Sequence, residues 1–479
     1  MVLQWVGGVV AALLGLYAAA CLWFLLRNHR PRPFLLMEVG KGRSFPPEFL
    51  WGTATAAHQI EGGNDNNDWW QFEQQPGRIA RGDRSGRAVD GWNRMDEDIG
   101  LMERLGANAY RFSIEWSRLE PREGEWADAA WSHYQDEVRR LLSVGIQPMV
   151  TLHHFTFPLW LRGGALDPSF PERFGRFARE AARRLPEVTL WCTINEPNVL
   201  LFSGFVDGTW PPAVKDTAKA SATFAALLRA HASASAGVRA AIPQARIGVA
   251  MHLRAFDALR PWFLPDWMAA SSAASAFNWA FYDSIISGRI RFAPFGFPRL
   301  DEAAPDLRGS ADWFGLNYYT RDLVGFSPGK PGGVRLAVGP GPTNALGWEI
   351  YPEGLLQLLR AAHARYRLPL YVTENGVDDR VGTLRPLFIL GHIHAVTRAT
   401  AEGIPVLGYF HWSLMDNFEW ADGFAPRFGL YRVDYPSLER SPAPGAETFT
   451  ALADEVRHGS TQSSAGQVHR QVNPRGPRP

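Results

Sequence analysis

The segment VTLWCTINEP, residues 188–197, is a short apolar and β-branched run that ends on Asn195, Glu196 and a proline. A run of this length and composition predicts a buried β-strand. Seven similar runs occur along the chain, and amphipathic segments that predict helices lie between them. The predicted strands are 49–57, 108–116, 146–153, 188–195, 246–252, 312–318, 370–374 and 406–412, and the predicted helices are 95–105, 131–143, 174–185, 223–240, 352–365 and 386–402.

Eight strands with helices between them and nearly continuous apolar character predict an α/β fold, a parallel (β/α)8 TIM barrel. An open doubly wound sheet is the alternative, but the first predicted strand is not followed by a glycine-rich turn. No linker-like composition or fixed repeat interrupts residues 44–456, which we interpret as one domain. Residues 457–479 are rich in Ser, Gln, Gly, Pro and Arg and predict a disordered tail.

Residues 1–33 have the composition of a membrane anchor with a basic flank. Val2 to Leu26 is uncharged, and as a helix it would span about 38 Å against about 30 Å of hydrocarbon. Nothing basic precedes it, which favours a retained anchor over a cleaved signal, and its uniform apolarity disfavours a soluble core helix. Because Arg27, Arg30 and Arg32 follow, the positive-inside rule predicts a single-pass membrane protein with a cytoplasmic catalytic domain.

Composition excludes several classes of function. Lys and Arg number 49 against 48 Asp and Glu, and they form no basic stripe, so no nucleic-acid partner is expected. Cys21 and Cys192 are the only cysteines, which excludes a disulfide scaffold and a cysteine metal cluster. None of the four lysines lies in an apolar run, which disfavours a Schiff-base enzyme. The 19 tryptophans exceed what a hydrophobic core needs, and the flat faces of indole rings also stack on sugar rings.

In a parallel barrel the residues at the carboxyl ends of the strands point into the active site. Here these positions and the loop after the last strand carry amide, imidazole, phenol and indole groups around two glutamates. Such a set suits a neutral polyhydroxylated ligand rather than a phosphate or a metal, and we expect neither a metal nor a cofactor. The candidates are Gln59, Arg111, His154, Asn195, Glu196, Asn317, Tyr319, Glu374, Trp412, Glu419 and Trp420.

Glu196 and Glu374 end the fourth and seventh predicted strands, on roughly opposite sides of an eight-stranded ring. Two facing carboxyls can cleave a glycosidic bond: one protonates the leaving group and the other attacks, and the anomeric configuration is retained. Arg111, on the second strand, would keep a neighbouring nucleophilic carboxylate ionised. The alternative to a catalytic role is that each glutamate forms a salt bridge to a loop. This alternative is less favoured when two glutamates lie among polar residues at the ends of several strands.

The histidines do not form a metal-binding pattern. His153 and His154 are adjacent on a strand, so at most one of them reaches the pocket. His392 and His394 precede the last strand without a carboxylate partner, and we interpret them as helix or loop residues. A metal-dependent barrel hydrolase would need His-x-His on the first strand, which contains only His58.

Three motifs resemble those of glycoside hydrolase family 1, the β-glucosidase and β-galactosidase family. They are FLWGTATAAHQIEG at 49–62, TINEP at 193–197 and VTENG at 372–376, and the resemblance extends from Phe45 to about Phe449. It implies that Glu196 is the acid/base and Glu374 the nucleophile.

The resemblance also implies roles around the sugar. Gln59, His154 and Asn195 would bind the hydroxyls of one sugar unit, and Arg111 and Tyr319 would orient Glu374. Trp412 would form the floor of the sugar subsite. Glu419 and Trp420 would bind the far hydroxyls of the same sugar, and Asn317 is counted with the binding residues. The sequence FEWADG at 418–423 lacks the Ser and Lys-x-Tyr cluster of 6-phospho-glycosidases, so a neutral sugar is expected. HFT at 154–156 departs from the usual H-W-D and replaces an indole at the pocket edge.

The resulting hypothesis is a retaining β-glycosidase that acts on β-D-glucosides, β-D-galactosides or related neutral glycosides. One alternative is a membrane-associated transglycosidase that moves sugars between glycolipids, as some membrane-bound plant relatives do, and it is motivated by the anchor alone. A non-catalytic sugar-binding barrel is the other, although it would be expected to have lost a catalytic glutamate. The expected partners are a small glycoside or a glycolipid, and the membrane through the N-terminal helix.

Overall fold

The computed structural model describes residues 2–27, 45–46 and 48–468. Eight parallel strands pair in chain order, and β8 pairs with β1, which closes the barrel. The predicted TIM barrel is therefore confirmed, and each predicted strand is present. The strands are β1 Leu50–Ala54, β2 Ala109–Ser113, β3 Gln147–His153, β4 Leu190–Asn195, β5 Arg246–Ala258, β6 Trp313–Phe326, β7 Leu370–Asn375 and β8 Val406–Trp412.

The helices cover the outside of the barrel, and all six predicted ones are present. In α7, for example, Phe170, Phe174 and Phe177 recur at helical spacing and are fully buried, while Arg183 and Arg184 lie in the last turn, where cations favour the helix dipole. The helices are α1 Val2–Arg27, α2 Ala57–Ile60, α3 Asp68–Glu73, α4 Met95–Arg104, α5 Trp116–Leu119, α6 Asp128–Ser143, α7 Phe170–Arg184, α8 Pro197–Phe202, α9 Thr217–Ala241, α10 Leu264–Ala274, α11 Ala280–Ser287, α12 Pro352–Tyr366, α13 Arg385–Ala401 and α14 Ala446–Val468.

Strands β5 and β6 are about twice as long as predicted. They continue to pair above the barrel from Ala255 with Arg321 to Ala258 with Val324, and Val334–Ala337 adds an antiparallel strand to β6. These extensions lack a continuous apolar run because charged side chains interrupt both strands, Arg254 and Asp257 on β5 and Arg321 and Asp322 on β6. These charges pair between the two strands, for example Arg321 with Asp257 at 3.1 Å. The extension builds a wall beside the active-site end of the barrel.

The first strand is shorter than predicted. It ends at Ala54, and the chain then turns into α2, which carries Gln59. The Oγ of Ser113 accepts a hydrogen bond from the backbone N–H of Ala57 and so holds the first turn of this helix. Gln59 therefore lies on a one-turn helix at the end of the barrel and not on the strand itself.

The two ends of the chain are helical where they are described. α14 packs Phe449 against Trp51 at a ring distance of 4.4 Å, and it continues as helix through 457–468, which the sequence analysis assigned to the disordered tail. Residues 469–479 lie outside the described residues, as do residues 28–33 of the predicted anchor flank. Within α1, Gln4–Trp23 is exposed, has a mean hydropathy of 2.0, and is long and apolar enough to cross a membrane.

Candidate active site

The carboxyl of Glu374 lies at the end of β7 and is buried. Its Oε1 accepts a hydrogen bond from Nη1 of Arg111 at 2.5 Å, and its Oε2 accepts one from the hydroxyl of Tyr319 at 2.6 Å. Arg111 extends from β2 and Tyr319 from β6, so three strands converge on one carboxyl. Glu374 is thus in contact with a permanent cation.

The carboxyl of Glu196 follows β4 and is also buried. Its backbone has φ 43°, in the left-handed region that is uncommon for a residue with a side chain, and Pro197 then starts α8. Its Oε1 lies 2.9 Å from Nδ2 of Asn317 and 3.1 Å from Nδ1 of His252. The described contacts of Glu196 are therefore an amide and an imidazole, and no arginine or lysine.

Two asparagines connect the glutamates. The Oδ1 of Asn195 accepts from Nη2 of Arg111 at 2.6 Å and from Nδ2 of Asn317 at 3.1 Å. The Oδ1 of Asn317 in turn accepts from the hydroxyl of Thr373 at 2.6 Å. The orientation of each amide is therefore fixed, and the network joins β2, β4, β6 and β7 across the barrel mouth.

The pKa values of the pair reflect these surroundings. Burial raises the pKa of Glu374 to about 7, repulsion from Glu196 adds to the rise, and Arg111 and Tyr319 oppose it. Burial also raises the pKa of Glu196, whereas its hydrogen bonds with His252 and Asn317 hold it below its usual range. Because the two carboxyls repel each other, the site favours one proton shared by the pair, and these two pKa directions place more of that proton on Glu374 than on Glu196.

The sugar-binding candidates lie around this pair. Nε2 of Gln59 donates to Oδ1 of Asn417 at 2.8 Å and to Oε2 of Glu419 at 3.3 Å, and Nε1 of Trp412 donates to Oε1 of Glu419 at 3.1 Å. Burial raises the pKa of Glu419 to about 8. Polar groups and two indole faces thus border one pocket.

His154 joins the two halves of this pocket. Nδ2 of Asn195 donates to its Nε2 at 3.0 Å. Its ring stacks on Trp412 at 5.9 Å and on Trp420 at 6.0 Å between centroids. Burial lowers the pKa of His154 well below its usual range, so the ring is neutral. The structure thus brings together all eleven residues predicted for the site.

Comparison with known proteins identifies the family. A model of glycosyl hydrolase family 1 matches residues 41–457. The chain belongs to glycosyl hydrolase family 1. It is 34% identical to the 1,4-beta-D-glucan glucohydrolase of Thermotoga neapolitana over 83% of this chain and 100% of that protein, and 30% identical to the beta-galactosidase of Pyrococcus woesei over 83% and 94%.

Solved structures of family 1 enzymes are similar in fold. The beta-glucosidase of Thermotoga maritima in complex with deoxynojirimycin has a TM-score of 0.81 at 31% identity and covers 87% of this chain and 99% of its own. The beta-glycosidase of Pyrococcus horikoshii has a TM-score of 0.78 at 38% identity and covers 86% and 95%. The protein is therefore a glycoside hydrolase.

At two neighbouring positions, 155 and 156, the chain departs from the family 1 pattern. Phe155 has φ 75° and packs edge-on against Trp420 at 5.2 Å and Trp210 at 4.9 Å. A phenyl ring thus occupies the pocket edge where the family has an indole. The hydroxyl of Thr156 donates to Glu115 at 3.0 Å, so it turns away from the sugar-binding candidates.

Of the other histidines in the sequence analysis, His58 stacks on Trp420 at 5.7 Å between centroids, whereas His153, His392 and His394 lie outside this family 1 pocket. His153 points to the opposite face of β3 from His154 and packs on Phe157 at 4.5 Å. His392 and His394 lie on α13, where the backbone carbonyl of Phe388 contacts Nδ1 of His392 at 2.7 Å. The expectation that at most one of His153 and His154 reaches the pocket agrees with this placement.

Sequence reasoning missed His252, which contacts Glu196. It was the final residue of the fifth predicted strand, so the rule applied to the other strand ends would have found it. Its contact with Glu196 joins residues 56 positions apart, which no local motif indicates.

Proposed function

We propose that this family 1 protein is a retaining β-glycosidase with Glu374 as nucleophile and Glu196 as acid/base. One observation carries the proposal: the two buried carboxyls of the barrel mouth have different partners. Glu374 contacts the guanidinium of Arg111, which favours its ionised form. Glu196 contacts Asn317 and His252 and, within the described residues, no arginine, so the permanent cation that stabilises an attacking carboxylate lies at Glu374 alone.

The reaction proceeds by double displacement. A carboxylate oxygen of Glu374 attacks the anomeric carbon while Glu196 gives its proton to the departing glycosidic oxygen. A covalent glycosyl ester on Glu374 and the free aglycone alcohol result. Glu196, now ionised, takes a proton from water, whose oxygen attacks the anomeric carbon and releases Glu374. Two inversions give net retention.

The substrate that fits is a neutral β-glycoside, a β-D-glucoside or β-D-galactoside, as the names of the relatives also suggest. Oε1 of Gln59 and Nδ1 of His154 are buried and have no hydrogen-bond partner within the described residues, which leaves them for sugar hydroxyls. Glu419 would accept from further hydroxyls, and Trp412 and Trp420 would offer apolar faces to the ring.

The test is covalent trapping with the full-length protein in detergent. An activated 2-deoxy-2-fluoro-β-glucoside slows both steps but lets the ester accumulate, because its good leaving group rescues only ester formation. We expect a mass increase of one fluorosugar on the peptide that contains Glu374, and none in Glu374→Ala. An absence of adduct with gluco and galacto reagents alike would refute the proposal.

We further propose that α1 anchors the protein in a membrane with the barrel on the cytoplasmic side. Support comes from the 20-residue apolar stretch Gln4–Trp23 and from Arg27, Arg30 and Arg32 after it. Carbonate extraction of membranes should leave the chain in the pellet, and protease added to spheroplasts should not cleave it. Release by carbonate would refute anchoring, and cleavage from outside would refute the orientation.

A cavity of about 370 Å³ suggests that the aglycone is partly apolar. It is lined by Val199, Phe202, Phe256, Phe277 and Leu336, among others, and Arg254 lies at its polar side. Helix α8, which supplies the first two, begins directly after Glu196. Because Glu196 protonates the leaving oxygen, the aglycone departs on this side.

We therefore infer that an amphiphilic glycoside, such as a glycolipid, places its chain in this cavity. The wall of the cavity is continuous with exposed apolar surface, since the lining residue Leu336 is 53% exposed. Each added methylene of an alkyl β-glucoside should raise kcat/KM by up to about fourfold, from about 0.8 kcal/mol per buried methylene.

Kinetics with a series of alkyl β-glucosides below their micelle-forming concentrations test this inference. Leu336→Asp should flatten the dependence on chain length, and Leu387→Asp, on an exposed leucine of α13, is the control. Equal kcat/KM for short and long chains in the native protein would refute the apolar site. With glycolipid vesicles, free sugar as product indicates hydrolysis, and an elongated glycolipid indicates the transglycosidase alternative.

A further inference from the structure

The imidazole of His252 is held rigidly beside Glu196. It is 5% exposed, and its Nδ1 lies 3.1 Å from Oε1 of Glu196. The ring lies nearly parallel to Tyr319, with centroids 5.7 Å apart at 22°, and the edge contact with Phe277 is 5.8 Å. Packing on the face and on the edge fixes both the position and the plane of the ring.

Arg254 determines which nitrogen of this ring carries the proton. Its Nε donates a hydrogen bond to Nε2 of His252 at 3.2 Å, and its Nη1 donates to Asp322 at 2.8 Å. A guanidinium has only donors and stays protonated, so Nε2 must be an unprotonated acceptor. The ring is then neutral with its hydrogen on Nδ1, and Nδ1–H donates to Glu196.

Among the residues that the structure describes, no further proton donor contacts the ring. The titratable and charged groups that face His252 are Glu196, Arg254 and Tyr319, and Tyr319 offers its ring face while its hydroxyl bonds Glu374. Asp322 and Asp207 interact with Arg254 rather than with the imidazole. Both aspartates stabilise the positive charge of Arg254, and with it the acceptor state of Nε2.

The same geometry selects one oxygen of Glu196 for the transferred proton. Oε1 accepts from both Asn317 and His252, whereas Oε2 makes no hydrogen bond within the described part of the chain. A carboxyl oxygen that already accepts two hydrogen bonds is the poorer place for a proton. The proton of the acid form therefore lies on Oε2.

We propose that His252 and Arg254 are positioning residues of the acid/base: Arg254 keeps His252 neutral, and its Nδ1–H holds Oε1 so that Oε2 carries the proton to the leaving group. A permanent cation at this place would favour ionised Glu196 and deprive it of its proton. A neutral donor orients the carboxyl in both protonation states. The inference rests on the proposed glycosidase function.

The test compares two leaving groups on the full-length protein. 2,4-Dinitrophenolate leaves without a proton, whereas phenolate from phenyl β-glucoside needs one from Glu196. In His252→Leu we expect kcat/KM for the phenyl substrate to fall about 10- to 100-fold more than that for the dinitrophenyl substrate. His252→Asn places an amide N–H close to where Nδ1–H was, and it should restore part of the difference.

Arg254→Met tests the fixed tautomer. Without Arg254, Nε2 can bind a proton, and the charged ring would make Glu196 a stronger acid. We expect the alkaline limb of the phenyl-glucoside kcat/KM profile to move to lower pH, because that limb reports deprotonation of the acid. Arg229→Met, at an arginine that is paired with Glu302 on the surface, is the matched control and should leave the limb in place.

Three results would overturn the inference. Equal losses on both substrates in His252→Leu would mean that the residue only supports the fold, and thermal unfolding of the Leu and Asn variants identifies such an effect. An unmoved alkaline limb in a folded Arg254→Met would mean that the ring is neutral without Arg254. If the native protein cleaves neither substrate, the proposed function fails, and this inference fails with it.

Discussion

Replacement of Arg111 by methionine removes the permanent charge that contacts Glu374. The arginine is 1% exposed and its Nη1 is 2.5 Å from Oε1 of the carboxyl, which places the two charge centres about 4 Å apart. At an effective dielectric constant of about 20, such a pair interacts by about 4 kcal/mol. This energy corresponds to about a 1,000-fold change in the ionisation equilibrium of Glu374.

The sign of the pH effect follows from the pKa. Burial already raises the pKa of Glu374 to about 7 with Arg111 present, so without Arg111 the carboxyl is protonated at neutral pH and cannot attack. We expect kcat/KM for 2,4-dinitrophenyl β-glucoside to fall about 100- to 1,000-fold at pH 7. The rate should then recover about tenfold for each pH unit above 7, as the ionised fraction rises.

Two variants separate charge from hydrogen bonding. Tyr319→Phe removes the 2.6 Å hydrogen bond to Glu374 but keeps Arg111, and it should cost only about tenfold. Arg111→Lys keeps a charge and should recover part of the activity if the methionine variant folds poorly, since Arg111 also donates to Asn195. A loss in Arg111→Met that is equal at every pH would refute the reasoning, because Arg111 would then orient Glu374 rather than ionise it.

Three further outcomes are expected. Glu419→Ala should lower kcat/KM about 10- to 100-fold and by the same factor for phenyl and dinitrophenyl glucosides, because Glu419 would bind the sugar and not the leaving group; steady-state kinetics with both substrates check this. Gly376→Ala should lower the free energy of unfolding by about 1–3 kcal/mol, because the added Cβ would overlap the backbone carbonyl of Trp412. Gly100→Ala on α4 is the control and should not lower it. Urea denaturation of both variants tests this. His231 is buried and its pKa is lowered to about 3, so its contribution to the free energy of unfolding is complete above pH 6.5. That contribution is lost as the pH falls, by up to about 1.4 kcal/mol per pH unit. The urea midpoint of His231→Asn should therefore fall less steeply between pH 6 and pH 4 than that of the native protein.

The strands of the barrel were predictable because parallel strands are buried on both faces and read as continuous apolar runs. The extensions of β5 and β6 were not, since their charged residues, such as Arg321 and Asp257, are paired with each other across the strands. Helix α10 was missed because its alanines and serines show no clear apolar period. Gln59 was assigned to a strand end, and the turn into α2 depends on Ser113 of the neighbouring strand.

The sequence by itself determined the barrel, the order of its strands and the polar residue at most strand ends, including Glu196 and Glu374. These features follow from local periodicity and from the rule that all parallel strands end at one face. The tertiary structure alone decided which group lies beside each carboxyl. Arg111 reaches Glu374 across 263 positions and His252 reaches Glu196 across 56, because contacts between barrel strands depend on closure and register rather than on spacing along the chain.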